Sequence, residues 1–262
     1  SEEDSLSFVT PTQFVELPSK GIYYPEDHPL HNQDVVEIRY MTAKDEDVLT
    51  SESLIKKGVV IDRFVQSVLV DKSIKVQDLL LGDKNAIIVA ARITGYGADY
   101  MVSISCQSCG ATNENTYDLN EISEIKSIDN INLDEIGVEI SEQGTFFVEL
   151  PQTKILVELK LVTGRDEIKI QNLKNKKKKL KLEETNLTDH LKAVIVSVNN
   201  DDNRATVNNM VQNLHSSDAK YIREIYQKIV PKIDLMTFFE CEECSFVKEV
   251  NVPITVQFFW PE

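Results

Sequence analysis

The sequence has few cysteines, no long hydrophobic run and none of the short motifs that mark common enzymes. Four cysteines in 262 residues are too few for a scaffold built on disulfides. No apolar stretch approaches the roughly 18 residues needed to cross a bilayer, so no membrane segment is expected. Phosphate-binding loops, dinucleotide fingerprints, the His-Glu-x-x-His motif and the nucleophile elbow are also missing. These absences argue against a secreted mini-protein, a membrane protein and the enzyme classes that those motifs identify.

Positive charge is scarce as well. The chain has 28 Lys and Arg against 43 Asp and Glu, a formal net charge of −15. Binding to nucleic acid depends largely on basic side chains that contact phosphates, so nucleic acid is not an expected partner. No motif indicates a small-molecule substrate. The composition favours a soluble protein with protein partners, built as two modest domains or one large one.

The four cysteines form two Cys-x-x-Cys pairs, Cys106 with Cys109 and Cys241 with Cys244. Strand-like segments flank each pair, so each is predicted to lie at the tip of a β-hairpin, an arrangement that we call a knuckle. Two knuckles can supply the four thiolates of a closed, tetrahedral zinc site. We therefore predict structural zinc bound by all four cysteines, with no position left for a catalytic water.

Two other uses of the cysteines are disulfides and a thioredoxin-like redox pair at the start of a helix. The chain shows no apolar N-terminal signal segment, which favours a reducing compartment over disulfides. The two pairs also differ in one respect. Gly110 follows the first pair and can adopt the positive φ that folds a knuckle back, whereas Ser245 stands at the matching place in the second.

The two pairs are far apart in the sequence, with 131 residues between Cys109 and Cys241. We predict an α+β fold in which a split, zinc-ribbon-like pair of β-hairpin knuckles joins an N-terminal helical block to an inserted, mainly helical domain. The predicted segments are an extended N-terminal arm with short strands (1–40), a helical block (41–98), the first knuckle hairpin (99–118), an acidic connector (119–150), the inserted domain (151–235), and the second knuckle hairpin with an aromatic tail (236–262).

Capping residues place several helix starts and ends. Thr42 is expected to cap a helix with an acidic first turn, Gly58 to end one helix, and Asp83 to cap a helix over 86–93 that stops at Gly95. A hairpin around residue 151 should lead to a helix that starts at Thr163. Further helices are predicted over 187–198, 205–214 and 219–230. The acidic connector shows no steady hydrophobic period and is expected to be mobile, with short strands.

Two features, one charged and one aromatic, allow more than one interpretation. The lysine cluster, residues 174–181, is a solvated helix face or mobile loop, a contact for an acidic partner, or a contact for nucleic acid. Phe258, Phe259 and Trp260 are predicted to form a last strand that packs on its own domain. The alternative is an aromatic tail that binds another subunit.

Several longer phrases resemble a known family. They are Val15-Glu-Leu-Pro-Ser-Lys-Gly21, Tyr24-Pro-Glu-Asp-His-Pro-Leu30, Met41-Thr-Ala-Lys44, Ser53-Leu-Ile-Lys-Lys-Gly58, Gly82-Asp-Lys-Asn-Ala86, Ala90-Ala-Arg-Ile-Thr-Gly-Tyr-Gly97 and Phe258-Phe-Trp-Pro261. Together with both knuckles and the segment 163–167, they resemble the baseplate hub and hub-assembly proteins of T-even-like contractile-tailed bacteriophages. The resemblance spans nearly the whole chain.

This resemblance implies a late viral protein without catalytic activity that helps to build the central hub of the tail baseplate. The role would be that of a hub component or an assembly chaperone, and the partners would be other baseplate hub proteins. The expected locations are the host cytoplasm during assembly and the tail baseplate of the virion.

Two other classes of function fit the sequence less well. A zinc ribbon that binds nucleic acid needs a basic face near the knuckles, but Glu240, Glu242, Glu243 and Glu249 make that side acidic. An enzyme whose residues meet only in space would show a cleft with a strongly shifted carboxylate or histidine. His28 and His31 flank Pro29 without a paired carboxylate, which is typical of a polar turn rather than a metal site.

Overall fold

The computed structural model describes residues 9–252, 254 and 256–259. The helices in these residues are α1 (Ala43–Leu49), α2 (Glu52–Lys57), α3 (Val60–Val68), α4 (Leu81–Tyr96), α5 (Leu119–Ile122), α6 (Leu133–Ile136), α7 (Gly164–Lys179), α8 (Asn186–Val194), α9 (Arg204–Asn213) and α10 (Ser216–Ile229). The strands are β1 (Thr12–Glu16), β2 (Val35–Arg39), β3 (Asp99–Ser105), β4 (Thr112–Asp118), β5 (Ser123–Lys126), β6 (Glu139–Ile140), β7 (Phe146–Glu149), β8 (Leu156–Leu159), β9 (Ile195–Val198), β10 (Lys232–Glu240) and β11 (Val247–Asn251).

The strands pair into small sheets. β1 pairs with β2, β3 with β4, and two larger sheets have the orders β11-β10-β5 and β6-β7-β8-β9. Every pairing is antiparallel. Helices and small antiparallel sheets thus share one chain, and the predicted α+β class is confirmed. No helix in the described part of the chain combines the length and apolar character needed to cross a bilayer.

The helical block begins where its capping residues predict. Thr42 and Asp45 form a capping box at the start of α1, in which the Asp45 carboxylate accepts the backbone N–H of Thr42 at 2.8 Å. Gly58 ends α2 in the left-handed conformation, with φ 69°. α3 then buries Phe64 and Val65 completely. The local rules hold here because capping depends on residues only three or four positions apart.

The predicted start of α4 is wrong. The helix begins at Leu81 rather than after Asp83, because Leu80 is extended and its carbonyl already accepts the N–H of Lys84. Asp83 lies inside the first turn and is fully buried. Its carboxylate accepts hydrogen bonds from the N–H of Ser19 (3.0 Å), the hydroxyl of Ser19 (2.6 Å) and the hydroxyl of Tyr24 (2.9 Å). These bonds tie the N-terminal arm to α4.

This buried carboxylate makes stability depend on pH. Burial raises the pKa of Asp83 above its usual 3.8, although the bonds from Ser19 and Tyr24 oppose the rise. A raised carboxyl pKa means that the folded state holds the proton more tightly than the unfolded state. The contribution of Asp83 to the free energy of unfolding is therefore fully present below pH 3.8. It is lost as the pH rises through the folded-state pKa.

We expect the Asp83→Asn variant to lose about 1 kcal/mol of stability at pH 4 and less at pH 7, where the wild-type side chain carries the cost of ionising. Urea unfolding of the wild type and the variants between about pH 2 and pH 7 measures the difference. Asp45→Asn is the matched control. Burial raises the pKa of Asp45, but the bonds from Arg39, Ser67 and Thr42 outweigh it and hold the pKa below its usual range. The stability of the wild type relative to Asp45→Asn should fall as the pH drops below 3.8. If the difference in free energy of unfolding from the wild type changed with pH in the same way for both variants, the assignment would be contradicted.

The acidic connector packs as part of the fold rather than as a mobile segment. It contains α5, β5, α6, β6 and β7, and β5 pairs with β10. Leu119, Ile122, Ile128 and Val138 are buried in the main core. Its acidic residues point outward, so the charge count hid the apolar side chains that face inward.

The inserted region contains a sheet as well as helices. The hairpin of β7 and β8 around residue 151 and the helix start at Thr163 are confirmed, the latter by a capping box with Asp166. The predicted helix over 187–198 is wrong in its second part, because α8 ends at Val194 and Ile195–Val198 form β9 beside β8. The β-branched run Ile-Val-Ser-Val favours a strand once an edge is available. α10 begins at Ser216, three residues earlier than predicted, with His215 as its cap.

Two aromatic residues of the C-terminal tail are buried, but not in a strand. Val256–Phe259 form a 3-10 turn, and Phe258 and Phe259 are 0% and 1% exposed. The ring centroids of Phe259 and Phe64 are 4.6 Å apart, and those of Phe258 and Tyr100 are 4.8 Å apart. The buried guanidinium of Arg92 donates to the carbonyl oxygen of Phe258 at 2.8 Å. The tail thus packs on its own chain as predicted, while Trp260 lies outside the described residues.

One continuous apolar core connects the helical block, the connector and the inserted region. The two cysteine hairpins extend from this core next to each other. α4 approaches the start of β10 closely because Gly82 has no side chain, and a Cβ there would collide with the carbonyl oxygen of Pro231. This packing fixes the base of the second hairpin beside the first.

Candidate metal centre

Each cysteine pair lies at the end of a two-stranded ladder. The last pair of β3 and β4 is Ser105 with Thr112, and Cys106 follows directly. The last pair of β10 and β11 is Glu240 with Val247, and Cys241 follows directly. The two pairs therefore occupy the same position in their hairpins, as the flanking strand patterns predict.

The backbones of the two knuckles also match. The N–H of Cys106 donates to the carbonyl of Ala111 at 2.8 Å, and the N–H of Cys241 donates to the carbonyl of Phe246 at 2.9 Å. The N–H groups of Gly110 and Ser245 close the turns on the carbonyls of Cys106 and Cys241, both at 2.9 Å. Gly110 has φ 78° and Ser245 has φ 56°. Ser245 thus takes the left-handed conformation that the turn requires, although a serine does so at a cost.

That strain gives a prediction for the second knuckle. Ser245→Gly should stabilise the protein by about 0.5 to 1 kcal/mol, because the gain at positive φ exceeds the added entropy of the unfolded chain. Gly110→Ala should destabilise it by about 1 kcal/mol for the same reason. Urea unfolding measures both. Ser108→Gly, at an exposed knuckle position without positive φ, is the control and should not stabilise. Stabilisation by Ser108→Gly equal to that by Ser245→Gly would contradict the explanation.

The structure brings all four predicted cysteines together. Their sulfur atoms lie within 4.8 Å of one another. The Sγ atoms of Cys106 and Cys244 are 3.7 Å apart, as are those of Cys109 and Cys241. Four thiolates arranged tetrahedrally at about 2.3 Å from one zinc ion have sulfur–sulfur distances of about 3.8 Å. The observed spacing suits a tetrahedral ion and is too long for a disulfide, and all four cysteines are free.

Backbone hydrogen bonds favour ionisation of Cys106, whereas the neighbouring sulfurs oppose ionisation of Cys109. The N–H of Cys109 lowers the pKa of Cys106 to about 7, and the N–H of Ser108 adds a bond to the same sulfur at 3.3 Å. The N–H of Ala111 lowers the pKa of Cys109, but the sulfurs of Cys244, Cys241 and Cys106 outweigh it and raise that pKa to about 12. Four negative charges so close together need a cation to balance them. A divalent cation would offset part of that charge.

A small apolar cluster surrounds the sulfurs and is separate from the main core. Cys106, Cys241 and Phe239 are buried together, and Ile104, Ala111, Phe246 and Val250 pack around them. Cys109 and Cys244 are exposed. Each knuckle therefore contributes one buried and one exposed cysteine, which fits a site held at the junction of two hairpins.

Two side chains that the sequence did not single out bridge the knuckles. The amide oxygen of buried Asn113 accepts the backbone N–H of Glu242 at 2.8 Å. The ammonium group of Lys248 donates to the side-chain oxygen of Gln107 at 2.6 Å. The only signal for Asn113 was a polar residue at an inward position of β4. These two bonds link the knuckles directly, beside the four sulfur atoms.

The surface around the knuckles is acidic, and the histidines near the N-terminus have other contacts. Glu240, Glu242, Glu243 and Glu249 are all exposed. His28 stacks on Tyr24, with 4.3 Å between ring centroids, and one ring nitrogen of His31 faces the carbonyl oxygen of Tyr24 at 2.7 Å. Among the described residues, no other group of three or more His, Cys, Asp or Glu side chains is arranged to hold a metal.

Comparison with known proteins places the whole chain in one family. The family model described as "T4 bacteriophage base plate protein" matches residues 11–260, which include all four cysteines, Asp83 and the packed tail. No curated protein matches the chain at a stringent threshold. No solved structure matches it either. The family match covers nearly the full length, and the chain therefore belongs to the T4 bacteriophage base plate protein family.

Proposed function

We propose that this protein is a non-catalytic assembly protein of the baseplate hub, either as a hub component or as a chaperone that helps to assemble it. The observation that carries the proposal is the family match over residues 11–260. The phrases that resemble hub proteins add support, because three of them meet in space. Ser19 and Tyr24 belong to the N-terminal phrases, and both bind Asp83 of the phrase at 82–86.

A structural zinc ion is part of the same proposal. The four sulfurs at 3.7 to 4.8 Å, the matched knuckles and the backbone N–H bonds fit a closed zinc site. Bound zinc would supply no reaction, only a cross-link between hairpins that are distant in sequence. Such a zinc-ribbon-like unit would hold the helical block (41–98) and the inserted region (151–235) in one orientation, with binding energy available as folding energy.

The surfaces suit a protein that binds other proteins. The knuckle side is acidic, so phosphate backbones would be repelled from it. The exposed apolar residues Met101, Phe238 and Val247 lie on the two knuckle hairpins, at 49%, 69% and 55% exposure. Partly exposed apolar groups within a polar surface are typical of subunit contacts. The partners proposed here are other baseplate hub proteins, met in the host cytoplasm during assembly.

Deletion of the protein from the phage tests this function. Cells infected with a phage that cannot make the protein should yield no normal baseplates, and electron microscopy of the lysate measures this. Supply of the wild-type protein in trans should restore them. Normal baseplates without the protein would overturn the proposal. Mass spectrometry of purified particles then separates the two roles, because a component remains in the virion and a chaperone does not.

A further inference from the structure

An apolar cleft is lined by residues of α7, α8 and α10. Its volume is about 280 Å³. The apolar lining includes Leu80, Leu161, Val162, Ile170, Tyr226 and Val230. Glu167 and Gln171 of α7 form its rim. The cleft is large enough to take a bulky apolar side chain, and neither the zinc site nor the core packing uses it.

The polar groups in the cleft are already satisfied or neutral. The hydroxyl of Tyr226 accepts the backbone N–H of Val162 at 3.0 Å. The ring of His190 packs edge-on against Tyr226, with centroids 5.5 Å apart, and burial lowers the pKa of His190. At the rim, Glu167 faces Lys84 at 3.6 Å. An apolar occupant therefore suits the interior better than a charged one.

The lysine cluster continues along the same side of α7. At 3.6 residues per turn, Glu167, Ile170, Gln171, Lys174 and Lys178 fall within about 100° of one another around the helix axis. Lys174 and Lys178 are exposed, and neither forms an ion pair within the part of the chain that the structure describes. The apolar cleft is thus followed by two unpaired positive charges.

The other lysines of the cluster have different surroundings. Lys177 faces α8 and pairs with Asp189 at 2.6 Å, which anchors the end of α7. Lys176 and Lys179 are exposed on the side of α7 away from the cleft. The cluster is therefore not one uniform solvated surface, and only part of it lines up with the cleft.

We propose that the cleft together with Lys174 and Lys178 docks an amphipathic, acidic helix of another baseplate protein. The helix inserts one large apolar side chain beside Ile170 and places carboxylates about 6 and 12 Å further along, opposite the two lysines. This proposal rests on the proposed function and names the chemistry of one partner. A second copy of the chain is a poorer occupant, since two copies of net charge −15 repel. Nucleic acid would leave the apolar cleft unfilled.

Designed peptides test the recognition directly on the full-length protein. The probe is an alanine-based helical peptide of about 18 residues that contains one Phe and two Glu, four and eight positions from the Phe to match the helix spacing. Two versions are made, one with the Glu residues before the Phe and one with them after it, so that both orientations of the bound helix are tested. Two controls replace Glu by Lys, or Phe by Ser. NMR titration of labelled protein should show shifts at Ile170, Tyr226 and Lys174 with the Glu–Phe peptide. The control peptides should bind at least about tenfold more weakly.

Paired variants locate the site on one side of α7. Lys174→Glu with Lys178→Glu should weaken peptide binding at least about tenfold, whereas Lys176→Glu with Lys179→Glu should change it less than about twofold. Gln171→Trp should cover the cleft and block binding, and Asn172→Trp, exposed on another side, should not. Thermal unfolding of each variant should match the wild type.

Several outcomes would overturn the proposal. They are equal effects of the two lysine pairs, equal binding of the Lys peptide, preferential binding of duplex DNA or anionic vesicles, and dissociation of a dimer by the Lys174 and Lys178 variants. Normal baseplates from a phage that carries Gln171→Trp would also overturn it. The proposed function would then stand, because only normal baseplates in the complete absence of the protein contradict that.

Discussion

Removal of zinc is expected to unfold the knuckle region while the helical block stays folded. The purified protein should contain about one zinc per chain, coordinated by four sulfurs. On chelation, amide protons of the two cysteine hairpins should lose at least about a hundredfold in hydrogen-exchange protection, because the small cluster around Phe239 does not suffice to hold them. Ile61, Phe64, Leu69, Ile88 and Val89 should keep theirs, since they pack in the main core.

Cysteine variants make the same test without a chelator. Cys241→Ser removes a buried ligand and should reproduce the chelated state, with no further change when chelator is added. Ser108→Ala, an exposed neighbour in the first knuckle, is the control and should retain zinc. X-ray absorption spectra and hydrogen exchange followed by mass spectrometry give the readouts. Loss of protection throughout α3 and α4 would show that the metal holds the entire fold, contrary to this expectation.

The second large effect is expected at the buried tail. Phe259→Ala should lower the free energy of unfolding by about 4 kcal/mol, because the ring is 1% exposed and packs on Phe64. In a chain of this length the melting temperature should fall by about 10 °C. Phe238→Ala is the control, since that ring is 69% exposed, and its cost should stay below about 0.5 kcal/mol.

This pair also separates the two interpretations of the aromatic tail. If the tail is a packing element, truncation of Phe259 lowers the stability of the protein before it affects partner binding. A tail that serves as a docking segment would lose partner binding with stability unchanged. Calorimetry of the isolated protein decides between them, and unchanged stability of Phe259→Ala would contradict the packing described here.

The features that sequence analysis predicted well are local ones. The cysteine pairs sit in hairpins whose strands flank them directly, and the capping boxes at Thr42 and Thr163 involve residues three positions apart. The meeting of the two pairs was predicted from their chemistry, because a closed zinc site needs four ligands. In each case the information lies within a few residues or within the chemistry of one ion.

The features that it missed depend on distant contacts. Asp83 has the sequence signature of a cap, but its partners Ser19 and Tyr24 are about 60 residues away. Ile195–Val198 extend a helical pattern until β8 offers an edge for pairing. The many acidic residues of the connector suggest a solvent-exposed segment. Only the folded core shows where Ile122 and Ile128 pack. Ser245 shows that a knuckle tolerates a serine when both its strands and its partner knuckle fix the turn.

The separation of the two knuckles has a consequence for synthesis on the ribosome. Cys106 and Cys244 are 138 positions apart, so the first knuckle emerges long before its partner exists. At about 5 to 20 residues per second, the delay is roughly 7 to 28 s. During this time the nascent chain exposes two thiols that can hold an ion only weakly. Co-translational maturation should therefore be ordered, with the helical block folding first and the metal captured as the second hairpin leaves the exit tunnel.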